Sequence, residues 1–343
     1  MQIFQSVFQA IGKTFVILAE SAWNKGTGGN SCHQYARAIS KMGYQVCYVD
    51  PFSGESGVQA LPSKGDTSPR FGEIYVLCFL PTKGSLRICK ALKSKGWRIA
   101  YVNVDDWENF VNNGWYDKET EIQLTRMADS CFASSPVGID RFKEARSDIC
   151  LLPNGVDVEE FRRAAKERPL DLKAGEITLG FWGSFYCPWF DWPLIVKTAR
   201  EKHEWAFNII GTAYDEIDVD FWPLPANIHL LGQRRWQDLH KYLCHFDVCL
   251  VPYTKTKASL AANPIKTLEY LAGYKPVVAF ENISIKSYPY VFTYFGRNDF
   301  MKKIEKAKKI QVDRSELDRF LKRHTWESGV RTILKSLGKS GYS

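Results

Sequence analysis

The chain has 343 residues, 45% apolar and 24% charged, the composition of an ordinary globular protein with length enough for two domains. Its net charge of +8 is uneven: from Arg297 onward thirteen Lys and Arg face six Asp and Glu, so anionic lipid or nucleic acid is a candidate partner there, the plainer reading of KKIEKAKK (302–309) being a solvated helix face. Nine scattered cysteines without a C-x-x-C pair argue against a zinc site or a disulfide framework and for a cytoplasmic setting, and no run approaches the roughly 18 apolar residues of a membrane span or has the form of an export signal.

The opening MQIFQSVFQAIGK carries apolar residues at helical spacing and predicts a short amphipathic helix packed on the body of the protein. Strand and helix signals then alternate. TFVILAE (14–20) reads as a strand, 29–43 as a helix, YQVCYVD (44–50) as a strand, EIYVLCFL (73–80) as a strand, 85–96 as a helix and WRIAYVNVDD (97–106) as a strand. A helix near 119–128, the strand SCFASS (130–135), a helix from Gly138 to about Ala145 and the strand DICLLPNGV (148–156) complete the first series.

A second series follows the charged stretch after Val156. ITLGFWGS (177–184), WAFNIIG (205–211), NIHLLG (227–232), DVCLVPY (247–253) and PVVAF (276–280) read as strands, with helices expected from Asp191, from about Trp236 and over NPIKTLEYLA (263–272). The alternation predicts an α/β protein of two doubly wound, mainly parallel sheets meeting near residue 157. Ligands of such sheets bind outside the carboxyl ends of the strands, so the residues following each strand, and a cleft between the domains, are where chemistry is expected.

Those residues are informative. Gly28 and Gly29, in WNKGTGGNS (23–31), allow close backbone approach to an anion at a helix start, although the loop is neither a P-loop nor a dinucleotide fingerprint. Asp105 and Asp106 end a strand and are candidates for a general base, one of them alternatively capping the next turn. Gly183 and Ser184 follow a strand directly and offer N–H groups to a phosphate, whereas Asp191 reads as a helix cap. Gln233 and Arg234 follow NIHLLG, where they would border a base or a phosphate. The aromatic pairs Trp115-Tyr116 and Trp189-Phe190 are candidates for stacking on sugar rings.

The sharpest signal lies in NPIKTLEYLA. Asn263 is expected to cap the helix, with Pro264 at its first position and Lys266 at its third, beside free N–H groups where a cation makes sense only with an anion close by. Glu269 shares the helical face of Lys266. A lysine over a diphosphate and a carboxylate accepting from ribose hydroxyls would suit one nucleotide, the alternative being an exposed ion pair.

The order of the glycine pair, LLPNGVD (151–157), GFWGS, NIHLLGQ, DVCLVPY, NPIKTLEYLAGYKPVV and HTWESGVRTIL (324–334) resembles GT-B glycosyltransferases of the family 4 type over nearly the whole chain, in particular bacterial enzymes of surface polysaccharide synthesis. The resemblance implies two Rossmann-like domains, 1–156 for the acceptor and 157–318 for the donor, with a tail helix (319–343) packed back on the first. It implies that Glu269 binds the donor ribose, that Lys266 lies near the diphosphate, that Gly28-Gly29 closes over the phosphates, and that Gln233 or Arg234 borders the base; Asn263, Thr267, Gly183 and Ser184 are further donor-binding candidates. Two positions depart from the family pattern: Ala261 stands where many members carry a second glutamate, and Ser184 stands near the place of a common Arg or Lys.

The expected activity is transfer of a sugar from a UDP- or GDP-sugar to a hydroxyl of a glycan or lipid-linked acceptor at the inner face of the membrane, with neither cofactor nor metal. A DNA-modifying glycosyltransferase or sugar-nucleotide epimerase on the same fold, and a non-catalytic nucleotide-sugar-binding scaffold, are the alternatives.

Overall fold

A parallel strand covered on both faces must be apolar at nearly every position. IYVLC, SCFA, TLGFW and VVAF meet that demand, with at most one position of each outside the core. The computed structural model describes residues 14–19, 29–49, 58–61, 74–109, 114–165, 167–185, 189–212 and 224–339; the expected N-terminal helix and Gly28 lie outside them. The described residues within Met1–Gly155, Ala261–Asn263 and Trp326–Ser343 form one compact unit, and those within Val156–Leu260 and Pro264–Thr325 form another.

In the first unit the strands are β1 (Thr14–Leu18), β2 (Gln45–Val49), β3 (Val58–Leu61), β4 (Ile74–Cys78), β5 (Arg98–Asn103), β6 (Ser130–Ala133) and β7 (Cys150–Leu151), in the order β3-β2-β1-β4-β5-β6-β7. All neighbours are parallel except β2 and β3. Strand β3 is not expected from the sequence, because four residues between glycine- and proline-rich stretches carry too little alternation to register. Strand β7 is only two residues long, against the strand expected over 148–156.

Helices α1 (Ser31–Lys41), α2 (Lys83–Lys93), α3 (Lys118–Met127) and α4 (Pro136–Phe142) start at Asn30, Thr82, Asp117 and Ser135, and each of those side chains accepts the N–H three residues on. Helix α4 begins two residues before the expected Gly138, since Ser135 caps it and Pro136 takes the first turn, where a missing N–H is harmless.

The second half of the chain adds α5 (Val158–Phe161), β8 (Thr178–Trp182), α6 (Trp192–Glu201), β9 (Ala206–Ile210), β10 (Ile228–Gly232), α7 (Leu239–Leu243), β11 (Val248–Val251), α8 (Lys257–Ala261), α9 (Ile265–Ala272), β12 (Val277–Phe280), β13 (Val291–Tyr294), α10 (Gly296–Lys309) and α11 (Arg314–Leu321). Its six-stranded sheet is parallel throughout, in the order β10-β9-β8-β11-β12-β13. The helix expected from Trp236 opens as a single tight turn, Trp236–Asp238, ahead of α7. The last helix, α12 (Trp326–Lys339), groups with the first unit. There Trp326 meets Tyr35 of α1 edge-on at 5.0 Å, and Ser336 pairs with Ser130 at 2.8 Å.

In both sheets the strand order reverses beside the first strand, between β1 and β4 and between β8 and β11. These are the switch points at which open α/β sheets bind ligands. The core beneath the second one is tightly filled. A Cβ on Gly180, in the middle of β8, would stand 2.0 Å from the buried ring of Phe246. Gly180→Ala is therefore expected to lower stability by about 1–3 kcal/mol, read as a fall in the urea midpoint at constant slope.

Candidate functional site

Helix α9 leaves the region of the second switch point, and its register differs from the one read from sequence. The cap position is Pro264, without a side-chain cap bond, so Lys266 is the second helical residue and not the third. Asn263 does not cap the helix, because Asn154 occupies it: Asn263 Oδ1 accepts from the Asn154 backbone N–H at 3.2 Å, and its carbonyl accepts from Asn154 Nδ2 at 2.6 Å.

Glu269 is 4% exposed. Its Oε2 accepts from Trp182 Nε1 at 2.8 Å and its Oε1 from Trp236 Nε1 at 2.8 Å. Burial pushes its carboxyl above the ordinary glutamate range, opposed by the two indole N–H groups and by Lys266. Neighbouring Tyr270, fully buried, accepts from the Trp182 backbone N–H at 3.0 Å. Thr267, also fully buried, has a hydroxyl with no hydrogen-bond partner among the described residues.

The ion pair that spacing allows between Lys266 and Glu269 does not form. The Lys266 ammonium instead donates to the Tyr253 hydroxyl and lies 4.8 Å from the Tyr253 ring centre and 5.0 Å from that of Phe181. Gly183 lies against it in a conformation (φ +129°) that favours glycine, and a Cβ there would stand 2.8 Å from Lys266 Nζ. Ser184 is half-buried beside Gly183.

Other candidates lie differently. Gln233 is exposed, but Arg234, expected at a base or phosphate, is turned to Asp171 and donates from Nε to the Tyr242 hydroxyl at 2.7 Å. Asp191 caps α6 by accepting from the Leu194 N–H at 2.9 Å, as its helix-start position predicts. Phe190 is 1% exposed within the core and has no free face for a sugar, whereas Trp189 is half-buried.

In the first unit, Gly29 precedes the Asn30 cap of α1. The aspartate pair follows β5, and its members differ. Asp106 is committed, with Oδ1 to Arg141 at 2.6 Å and Oδ2 to Asn109 Nδ2 at 2.8 Å. Arg141 also meets Glu121 at 3.0 Å and Glu108 at 3.5 Å. Glu121, fully buried, accepts from Tyr101 at 2.5 Å, Tyr116 at 2.8 Å and Asn103 at 3.3 Å, and burial raises its carboxyl pKa despite Arg141. Tyr116 thus serves this network, while Trp115 packs edge-on to Trp107 at 5.6 Å. Asp105 is half-buried, and its carbonyl accepts from Asn103 Nδ2 at 2.9 Å.

Sequence reasoning misses Trp182, Trp236, Tyr253, Glu121 and Arg141. The available signal for Trp182 and Tyr253 is their place at the carboxyl ends of β8 and β11, inside the strand-end segments GFWGS and DVCLVPY.

A family profile described as Glycosyl transferases group 1 matches residues 178–291, from β8 to the start of β13. A Bacillus subtilis (strain 168) protein named "Putative teichuronic acid biosynthesis glycosyltransferase TuaH" is 29% identical over 237 residues, 64% of this chain and 59% of that protein, so the match spans less than two thirds of that relative. Among solved structures, Anabaena Alr3699/HepE in complex with UDP and glucose superposes with a TM-score of 0.65 at 15% identity, over 94% of this chain and 99% of that one. Sucrose-phosphate synthase from Thermosynechococcus elongatus also gives 0.65, at 14% identity, over 94% and 98%. Among the described residues no helix is long and apolar enough to cross a membrane, and no group of three or more His, Cys, Asp or Glu is placed to hold a metal ion.

The Glu269 geometry makes a direct prediction. In Glu269→Gln an amide –NH2 faces two indole N–H groups, leaving at least one buried donor unmet, and a loss of about 1–3 kcal/mol in urea unfolding is expected. The folded-state pKa of Glu269 lies above the ordinary value, so the stability linked to it is complete below that ordinary value and is lost as pH rises through the raised one. The advantage of wild type over Glu269→Gln is therefore expected to shrink with rising pH across that interval.

Proposed function

We propose that this chain, which has the GT-B fold and whose residues 178–291 match the group 1 glycosyl transferase profile, transfers a sugar from a nucleoside diphosphate donor to an acceptor hydroxyl in the synthesis of a surface polysaccharide or related glycoconjugate. The observation that carries this reading is the start of α9. An ammonium with no carboxylate partner among the described residues and a buried, ionisable Glu269 stand one helical turn apart beside a switch point. The name of the Bacillus subtilis relative supports a cell-surface polymer as product, and the UDP bound by the Anabaena protein makes UDP the first nucleotide to test, followed by GDP.

In this reading the bond from the sugar C1 to the diphosphate oxygen breaks, a bond from C1 to the acceptor oxygen forms, and the nucleoside diphosphate leaves. Lys266 and the N–H groups of the first turn of α9 stabilise the charge that grows on the leaving group. Gly183 and Ser184 lie beside it, Glu269 takes the ribose hydroxyls, and Gln233 lies toward the base. On the acceptor side Asp105 and Asp106 are the two candidates for taking the proton of the attacking hydroxyl, Asp106 being held by Arg141. The exposed Lys302, Lys306 and Lys309 of α10 fit a peripheral contact with anionic lipid and hence a lipid-linked acceptor. Nothing in the site favours a DNA acceptor, an epimerase or a scaffold over this reading.

The test is thermal stabilisation by UDP, GDP, ADP, dTDP and CMP, with Glu269→Ala and Lys266→Ala as controls. One nucleotide at about 100 times its dissociation constant is expected to add about 2.7 kcal/mol to the wild type and much less to either variant. A folded wild type that responds to none of the five overturns the donor site.

A further inference from the structure

Lys266 is a half-buried cation near the positive end of a helix, a position that disfavours it. Among the described residues it has no carboxylate partner, and what holds it is aromatic: the faces of Phe181 and Tyr253 and the hydroxyl of Tyr253. In the bond between them the ammonium donates and the phenol oxygen accepts, so the phenol keeps its own proton. That proton has no acceptor among the described residues.

The position of Tyr253 is fixed. It follows β11, and its backbone is bridged to Phe190, with the Asp191 N–H donating to the Pro252 carbonyl at 2.8 Å and the Thr254 N–H to the Trp189 carbonyl at 2.8 Å. Its ring packs 5.4 Å from Trp189 and 5.6 Å from Phe280. From β8, on the other side of the switch point, Gly183 brings backbone alone against the ammonium.

We propose that Tyr253 and Lys266 act as one anion-binding pair in which Tyr253 fixes the ammonium and donates its phenolic proton to an oxygen of the donor's diphosphate. The proposal rests on the donor-site reading above and adds to it a residue with no role in that reading. The pair offers a diphosphate the remaining ammonium N–H groups and one O–H, and no proton leaves the phenol as the sugar–phosphate bond breaks. As charge accumulates on the departing diphosphate, both hydrogen bonds strengthen.

Titration of the wild type, Tyr253→Phe and Lys266→Ala with three probes tests this: the nucleoside diphosphate selected by thermal stabilisation, inorganic pyrophosphate, and the matching nucleoside without phosphate. Phenylalanine keeps the ring contacts with Phe181, Trp189 and Phe280, and the urea midpoint checks that the variant is folded. Tyr253→Phe is expected to weaken both phosphate-bearing probes about tenfold or more, the size of one hydrogen bond to a charged group, while nucleoside affinity stays at the wild-type value. Unchanged pyrophosphate and diphosphate affinity overturns the proposal and leaves the donor site standing. A parallel loss for all three probes also overturns it, by showing that the phenol only shapes the site. A wild type that binds neither a nucleoside diphosphate nor pyrophosphate removes the donor site itself, and the pair with it.

Discussion

The donor-side unit is organised around one buried carboxylate. Taking an ionised carboxyl group out of water costs several kcal/mol unless donors meet it in good geometry. Glu269 is met by two indoles from distant parts of the chain: Trp182 closes β8 and Trp236 opens the turn before α7. Phe161 of α5 packs parallel to Trp182 at 5.9 Å and edge-on to Trp236 at 5.5 Å, so neither indole can swing away without breaking the core around it. Strand, turn and helix are thereby pinned at one point. The first turn of α9, with Lys266 on it, has little rotational freedom left.

The first unit solves the same problem by other means. Glu121, on α3, is fully buried and receives two phenols, an amide and a guanidinium. The guanidinium is Arg141 of α4, which also gathers Asp106 and Glu108 from the segment after β5. Arg141, paired with the buried Glu121, thus ties down the segment after β5 through Asp106. The two adjacent aspartates look equivalent in sequence, and the network makes one of them scaffold.

Much of this architecture is legible in the sequence. Fully covered strands leave continuous apolar runs and capped helices leave Ser, Thr, Asp or Asn at their starts, so β1, β4, β5, β8, β9, β11 and β12 can be read to within a few residues. Strand β3 cannot, because its order comes from pairing with β2 and not from its own pattern. The cap expected at Asn263 fails for a related reason: propensity favours capping, but Asn154, 109 residues away in sequence, claims the same side chain and carbonyl. Lys266 and Glu269 are legible because α9 carries both. Their partners are not, since Trp182 lies 87 residues from Glu269 and Trp236 lies 33 residues from it, and no local spacing relates them.

The way Lys266 is held bears on what it can do. A carboxylate partner would stabilise the ammonium and also cancel its charge, so an incoming phosphate would have to displace that partner. Two aromatic faces and a phenol oxygen hold the cation without neutralising it. Part of the unfavourable proximity to the helix N-terminus is left uncompensated in the protein alone, and an anion bound at that terminus relieves it. Glu269, one turn further along, is met by two indoles and makes no ion pair with Lys266, whose charge acts on it only at a distance. The first turn of α9 is in this way kept positive, with its acid and its base on one helix and each hydrogen-bonded to neutral groups.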